Sequence, residues 1–360
     1  MSKTIILTGG GTAGHVTPNI ALLPGLRARG FEIRYIGSYD GMEKGLIEQE
    51  GIPYDGISTG KLRRYLSLKN ISDIGHVLKG LREARALLRK YRPDIVFSKG
   101  GFVSVPVVRA AKALKIPVII HESDMTPGLA NKLCYSAASK ICCNFPETVE
   151  MLPKEKAVLS GSPIRAELLS GSRKKGLDFC GFSGSKPVLL MIGGSSGARK
   201  LNEVLREALP LLLPDFDVVH LCGKENLDES LKEMRGYVQF EYISKELPDL
   251  FAASDLVFSR AGANAICELL ALRKPTLLTP LSAAVSRGDQ ILNARSFEKQ
   301  GFSMVVEEEN LTASVLSESL HKLYEDREKY IHAMSASTEK SGVDTILSLI
   351  DEITEKPSRS

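Results

Sequence analysis

Thr4-Ile5-Ile6-Leu7-Thr8-Gly9-Gly10-Gly11-Thr12-Ala13-Gly14-His15 lies near the start of the chain, and Val188-Leu189-Leu190-Met191-Ile192-Gly193-Gly194-Ser195-Ser196-Gly197-Ala198 repeats its design half a chain later. Each stretch reads as an apolar strand, a glycine turn and a helix start. Such a turn leaves backbone N–H groups uncovered at a helix N-terminus, where they can face an anion. Two copies at this spacing predict two similar α/β lobes. A cleft between such lobes can take one ligand from each side.

Strand-like runs alternate with helical ones through both halves. In the first half they are Thr4–Thr8, Ile33–Gly37, Asp94–Ser98, Pro117–His121, Lys140–Cys143 and Ala157–Ser160. In the second they are Pro187–Ile192, Asp217–Leu221, Tyr237–Ile243, Asp255–Ser259, Pro275–Thr279 and Met304–Val306. Amphipathic stretches such as Leu78–Tyr91, Ala198–Leu213 and Gly262–Leu272 lie between them. This alternation implies doubly wound parallel sheets, covered on both faces. The expected domains are 1–165 and 166–340, followed by a helix and tail over 341–360 that can pack back on the first domain. Ser170–Lys186, rich in Gly, Ser and Lys, reads as the linker.

A chain of 360 residues with 43% hydrophobic content is large enough for two cores. No apolar stretch approaches the roughly 20 residues of a membrane span, and no signal-peptide layout precedes the first strand, so a cytoplasmic location is expected. Cys134, Cys142, Cys143, Cys180, Cys222 and Cys267 include no C-x-x-C pair and read as reduced, buried side chains. The charge is uneven. Residues 1–165 carry 24 basic and 14 acidic side chains, while the remainder is net acidic. Ten basic residues fall between Lys61 and Arg92, against Asp73 and Glu83 alone. This field suits an anionic surface or substrate; nothing in the pattern calls for nucleic acid.

The first loop spells Gly9-x-Gly11-x-x-Gly14, the dinucleotide pattern, but no acid closes the second strand to hold a ribose, so an NAD site is not expected. His15 falls at the helix start, as a helix cap or as a group facing the cleft. Glu122, Ser123 and Asp124 follow a strand end, where open α/β sheets place ligands. Glu122 or Asp124 can take a proton from an attacking hydroxyl, or simply cap the loop. Ser98-Lys99-Gly100-Gly101-Phe102 is a further glycine turn on the same edge. In the second half, Arg260-Ala261-Gly262-Ala263 leads into a helix whose N-terminus suits a diphosphate, and Glu268 on that helix suits ribose hydroxyls. Asp289-Gln290 at a later helix start suits a sugar, or is a plain cap. Asp215-Phe216-Asp217 matches a D-x-D metal motif but precedes its strand, so a turn is expected and no metal or cofactor is called for.

Taken in order, these segments resemble the MurG family of bacterial glycosyltransferases, over nearly the whole chain. The segments that carry the likeness are 9–15, His121-Glu122-Ser123-Asp124 with Gly128–Lys132, Gly161-Ser162-Pro163-Ile164-Arg165, 193–198 and 260–268. The resemblance implies a GT-B fold, two Rossmann-like domains facing a central cleft. It implies an inverting transfer of N-acetylglucosamine from its UDP conjugate to the C4 hydroxyl of the muramyl sugar of lipid I, making a β-1,4 link. By resemblance Arg165 and Ser195 hold the donor phosphates, Glu268 the ribose, the Ile243 backbone the uracil, and Asp289 and Gln290 the sugar. Thr12, Ala13, Gly14, Asp124 and Ala263 complete the donor contacts. His15 is the base or an acceptor contact, with Glu122 and Asp124 as alternatives. An imidazole near its ordinary pKa of about 6.5 suits the task, whereas a carboxylate needs an upward shift. Asp124 stands where the family has Asn, Phe102 where it has Tyr, Ser196 where it has Gln, Asp289 where it has a first Gln, and Ala13 where glycine is usual.

The expected acceptor is a lipid diphosphate on the cytoplasmic face of the membrane. Lys61, Arg63, Arg64 and Lys69, interleaved with Leu62, Leu66, Leu68 and Ile71, can hold the protein on anionic lipid at about 1 kcal/mol per basic side chain. The competing reading buries the apolar stripe of Leu78–Tyr91 on the sheet. Two rival functions keep the fold: transfer to another lipid or small acceptor, and epimerisation of the sugar nucleotide without an acceptor.

Overall fold

The computed structural model describes residues 2–60, 69–193, 198–284, 286, 288–337 and 342–355. It divides into two compact units, Met1–Arg165 with Glu339–Ser360, and Ala166–Thr338.

The first unit runs β1 (Thr4–Thr8), α1 (Thr17–Ala28), β2 (Glu32–Ser38), α2 (Met42–Gln49), β3 (Tyr54–Ile57), α3 (Lys69–Tyr91), β4 (Ile95–Ser98), α4 (Ser104–Ala113), β5 (Val118–Glu122), α5 (Leu129–Cys134), β6 (Lys140–Cys143), α6 (Pro146–Glu150) and β7 (Ala157–Leu159). Its sheet has the order β3-β2-β1-β4-β5-β6-β7, and every pairing is parallel. β1 is buried along its whole length between β2 and β4, with Ile5 opposite both Ile33 and Ile95. A parallel strand covered on both faces needs an unbroken apolar run, which is why these strands stand out in the sequence.

The second unit begins with α7 (Arg173–Cys180) and continues β8 (Val188–Ile192), α8 (Arg199–Leu212), β9 (Asp217–Leu221), β10 (Tyr237–Phe240), α9 (Leu247–Ala253), β11 (Leu256–Ser259), α10 (Ala263–Ala271), β12 (Thr276–Leu278), α11 (Asp289–Lys299), β13 (Ser303–Val305), α12 (Ala313–Glu325) and α13 (Arg327–Ala336). Its parallel sheet has the order β10-β9-β8-β11-β12-β13. Both sheets share the winding of nucleotide-binding folds, reversing direction beside the first strand of each unit. The last helix, α14 (Gly342–Glu355), belongs to the first unit. Ile346, Leu347 and Ile350 join Leu22, Leu26 and Ile5 in one core cluster, and a Cβ on Gly25 of α1 would lie 2.2 Å from Leu347 Cδ1.

Two expectations are corrected. Ser170–Lys186 is not an open linker. Ser172 caps α7 by accepting from the Lys175 N–H, Gly181 ends it in the left-handed conformation, and Gly176 lets it lie against α9, where a Cβ would be 2.2 Å from the Asp249 carbonyl. β3 is an additional edge strand. Tyr54-Asp55-Gly56-Ile57 lacks an apolar run because the edge of the sheet is only half covered. The six cysteines are buried free thiols, as expected.

The second unit also encloses a neutral histidine. His220 on β9 is 0% exposed; its Nε2–H donates to Asn202 Oδ1 (3.0 Å), and Nδ1 accepts from the Tyr237 hydroxyl (2.8 Å). Burial, then the nearby Arg206, lowers its pKa to about 3. Between that value and an unfolded value of about 6.5 the unfolded chain binds the extra proton. Stability therefore falls as pH drops through this window, by about 1.4 kcal/mol per pH unit. Urea midpoints measured between neutral pH and about pH 5 should show this slope, and His220→Gln should flatten it. An unchanged slope in that variant would refute the assignment.

Candidate active site

The glycine turn after β1 is held from below. Asn19 of α1, fully buried, donates through Nδ2 to the Thr8 and His15 carbonyls (3.3 Å each) and to the Tyr35 hydroxyl (3.1 Å), which in turn donates to the Gly9 carbonyl at 2.8 Å. Glu43 of α2 is likewise buried. Its Oε2 accepts the Gly11 N–H at 3.3 Å, and its Oε1 accepts from the Ser38 amide and hydroxyl. A Cβ on Gly10 would sit 2.6 Å from that carboxyl carbon. The first loop was expected to offer its amides to an outside anion; at Gly11 the chain's own carboxylate is the acceptor.

Thr12 is exposed, and Ala13 and Gly14 are half-buried in the short 3-10 turn Ala13–His15. His15 is half-buried. Its Nδ1 lies 3.0 Å from the Gly10 carbonyl and 3.1 Å from Thr12 Oγ1. A carbonyl only accepts, so Nδ1 carries the proton and Nε2 is the basic nitrogen. Desolvation first and then the Lys99 charge lower the pKa to about 4, against a smaller upward pull from the Gly10 hydrogen bond and Glu43. The expected value near 6.5 is thus corrected downward; at neutral pH the ring is uncharged.

Glu122 moves the other way. It ends β5, is 4% exposed, and accepts from the Ser123 N–H (3.1 Å), the Gly128 N–H (3.0 Å) and Asn131 Nδ2 (2.9 Å). Burial, partly offset by these hydrogen bonds, raises its pKa to about 7. Both oxygens are thereby engaged in shaping the 122–128 loop, so Glu122 acts as an anchor more readily than as a proton acceptor. Asp124 is half-buried in that loop, whose carbonyl at Met125 accepts from Thr148 Oγ1 (2.8 Å). Phe102 is half-buried in the turn after β4. That turn presses on the first glycine loop. Gly101 has φ +80°, and a Cβ there would lie 2.3 Å from the Gly10 carbonyl oxygen and 3.3 Å from His15 Nδ1. Gly101→Ala should therefore lower stability by about 2 kcal/mol or more and displace His15. Thermal melts and turnover check this; a variant matching the parent in both would mean that the loops do not touch.

Arg165, half-buried, closes the first unit, with a buried Nε that has no hydrogen-bond partner among the described residues. Buried donors are ordinarily satisfied, so an anionic ligand suits it. Ser195 lies outside the described residues, as do Lys61, Arg63 and Arg64; Lys69 begins α3. Further along α3, Ala84 and Leu88 are buried and Leu81 and Leu87 pack beside them, as the competing reading of this helix held, but Leu78 is 57% exposed.

In the second unit, Gly262 caps α10 without a side chain, and among the described residues nothing beyond its chain neighbours stands within 4 Å of where its Cβ would be. Ala263 is the first helical residue, and Glu268 is half-buried on the second turn. Arg260 organises the neighbouring loop. Its guanidinium pairs with Glu308 through both nitrogens (2.9 and 3.1 Å) and donates to the Thr279 and Pro280 carbonyls at 3.2 Å each. Glu308 also accepts the Ser282 N–H (3.2 Å). Against the upward push of burial, Arg260 holds the Glu308 carboxyl below its ordinary range. Asp289 starts α11 behind Gly288, which has φ +77°. The Oε1 of Gln290 accepts the Leu281 N–H at 3.0 Å, so part of this expected sugar contact braces the loop. Ile243 is half-buried in the loop after β10, beyond the strand end expected for it. Asp215 meets His321 Nε2 at 3.2 Å in a turn, and Asp217 begins β9, so the D-x-D stretch leads into its strand as expected. Sequence reasoning missed Glu43, Glu308 and the burial of Lys99; the only signals for them were an acid at a helix start, a run of three glutamates and a lysine between a strand and two glycines.

Two all-parallel sheets wound in this order, the first with a glycine turn beyond β1, are the domain pair of GT-B glycosyltransferases. Residues 5–143 match the glycosyltransferase family 28 N-terminal domain, and residues 188–349 match the glycosyltransferase family 28 C-terminal domain. A UDP-N-acetylglucosamine--N-acetylmuramyl-(pentapeptide) pyrophosphoryl-undecaprenol N-acetylglucosamine transferase of Lachnoclostridium phytofermentans is 63% identical over 98% of this chain and 99% of its own. The transferase of the same name from Clostridium tetani is 56% identical, covering 98% of each chain. The crystal structure of Acinetobacter baumannii MurG superposes with a TM-score of 0.77 at 24% identity, covering 97% of this chain and 99% of that one, and speaks to the fold. The chain belongs to glycosyltransferase family 28.

Proposed function

We propose that the chain transfers N-acetylglucosamine from UDP-N-acetylglucosamine to the C4 hydroxyl of the muramyl sugar of lipid I, giving lipid II for peptidoglycan synthesis, with the roles divided as follows. The observation that carries the reading is the 63% identity, over nearly full length, to a relative of that printed activity. His15 Nε2 takes the proton of the attacking hydroxyl while the bond from the anomeric carbon to UDP breaks and the configuration inverts. Asp124 meets sugar hydroxyls, and Glu122 keeps the loop in shape. The α10 N-terminus, Ser195 and Arg165 stabilise the charge that builds on the leaving diphosphate. A fixed donor of this kind is worth about 10²–10³ in rate. Glu268 holds ribose, the Ile243 backbone meets uracil, and Asp289 and Gln290 hold the transferred sugar. Thr12, Ala13, Gly14 and Ala263 line the path of the donor, and Phe102 faces the acceptor.

No cofactor is required in this reading, and transfer should survive EDTA; a loss of rate restored by magnesium would overturn that part. Among the described residues no helix is long and apolar enough to cross a membrane. Lys61, Arg63, Arg64 and Lys69, continued by the exposed Leu78, hold the protein on the anionic cytoplasmic face of the membrane. Flotation with vesicles should require anionic lipid and weaken with salt. The central test is release of UDP with a lipid I analogue, with diacylglycerol, and with the donor alone. Transfer to the lipid I analogue only is expected. Glycosylated diacylglycerol, or isomerised donor without acceptor, would transfer the assignment to one of the rival functions.

A further inference from the structure

Lys99, the first residue after β4, is 1% exposed. Lysines are almost never buried unless partners take up their protons, because removing an ammonium from water costs several kcal/mol. Here Nζ donates to Nδ1 of His121 at 2.8 Å and to Oγ of Ser123. His121 is itself fixed, since its Nε2–H donates to the Gly161 carbonyl at 3.0 Å. The Ser123 carbonyl accepts from Asn144 Nδ2 at 3.0 Å. One ammonium thus joins the turn after β4 to the segment after β5 and, through His121, to the turn after β7. On the other side, Lys99 backs the first glycine loop, where a Cβ on Gly9 would lie 3.3 Å from Lys99 Cβ.

The geometry points to Lys99 as a positioning residue for the transfer reaction, its buried ammonium clamping three strand ends together and setting the field in which the His15 imidazole works. The inference rests on the reading of His15 as proton acceptor. Lys99, buried behind the loops, offers almost no surface to a substrate. The charged groups acting on His15 are Lys99, from the turn after β4, and Glu43, from α2, and they pull in opposite directions. Around Lys99 itself stand His121, Glu122 and the Cys142 thiol of β6. Burial and Lys99 keep His121 uncharged, and burial pushes the Cys142 thiol up to about 12, so neither adds a charge at neutral pH. A positive charge beside an imidazole disfavours a second one. Lys99 thereby keeps His15 in its proton-accepting form at a lower pH than Glu43 alone would allow.

The experiment measures kcat and kcat/KM for transfer to a lipid I analogue from about pH 3 to about pH 9, in the parent, Lys99→Met, Lys99→Gln and His15→Ala, with a thermal melt of each. Lys99→Met removes charge and hydrogen bonds; Lys99→Gln removes the charge and keeps N–H donors. Both should move the acidic limb upward by about one pH unit with KM for UDP-N-acetylglucosamine unchanged, and Lys99→Gln should melt nearer the parent. A limb abolished by His15→Ala but unmoved in both Lys99 variants overturns the role of Lys99 alone. A limb that survives His15→Ala overturns the base assignment and this inference with it. Loss of a cooperative melt in both Lys99 variants assigns the residue to folding and equally overturns the inference.

Discussion

His15→Ala lowers kcat for transfer to lipid I by about 10²–10⁴-fold and leaves the KM for UDP-N-acetylglucosamine where it was. The expectation follows from three features of the ring. Its Nδ1–H is spent on the Gly10 carbonyl, so the tautomer is fixed with Nε2 as the basic nitrogen. Its pKa is lowered to about 4, so the accepting form is fully populated at neutral pH. Of the other two ionisable candidates, Glu122 and Asp124, Glu122 has both oxygens taken up by loop donors. A low pKa also makes a weaker base, so the loss should fall toward the smaller end of that range. The decisive comparison is single turnover against donor binding. Near-parental single-turnover rates would remove His15 from the chemistry, and a matching loss of donor affinity would make it a binding residue instead.

Arg260→Ala should cost about 3–5 kcal/mol of stability in the C-terminal unit and raise the KM for UDP-N-acetylglucosamine. Arg260 and Glu308 are largely buried, with 12% and 16% of their side chains exposed. Removing one partner leaves the other charge stranded, along with two carbonyls and the Ser282 amide that the pair keeps in register. The loop at stake runs from β12 to α11 and carries Asp289 and Gln290 at its end. Replacing both partners, as Arg260→Met with Glu308→Gln, should recover part of the stability but not the donor KM, because the loop still loses its brace. Single variants that melt like the parent and bind donor normally would show that the loop is held by other means. Acid should weaken the same pair. A carboxyl depressed in the folded state contributes stability above its unfolded pKa, and that contribution is lost as pH falls through the folded value.

What could be read from the chain followed from the physics of parallel sheets. β1, β6 and β9 coincide with the runs expected for them because strands covered on both faces are mostly apolar and carry a polar side chain such as His220 only where it is hydrogen-bonded. β3 escaped because an edge strand needs no such run, and Gly56 is there to admit Tyr39, whose Cδ1 would be 2.7 Å from a Cβ at that position. α7 escaped because its glycine, serine and lysines mimic a linker, whereas Gly176 is a packing contact. At the site, the glycine turns and the helix starts are visible in sequence because they are local. The state of each titratable group is not. Nothing adjacent in sequence tells that Glu43 is buried against Gly10, or that Lys99 reaches His121 on the neighbouring strand. Burial, helped at His15 by the Lys99 charge, reversed the expected order of His15 and Glu122.

The return of α14 to the first unit bears on how the polypeptide is made. Residues 166–338 leave the ribosome as a contiguous block and can condense as soon as they emerge, but the N-terminal half waits for its last helix, whose Ile346, Leu347 and Ile350 fill a gap beside α1. During that interval the face of α1 that α14 covers stays open, while the rest of the same cluster can already pack. A stop codon that trims only the final twenty residues would leave the later-synthesised half sound and the earlier one open.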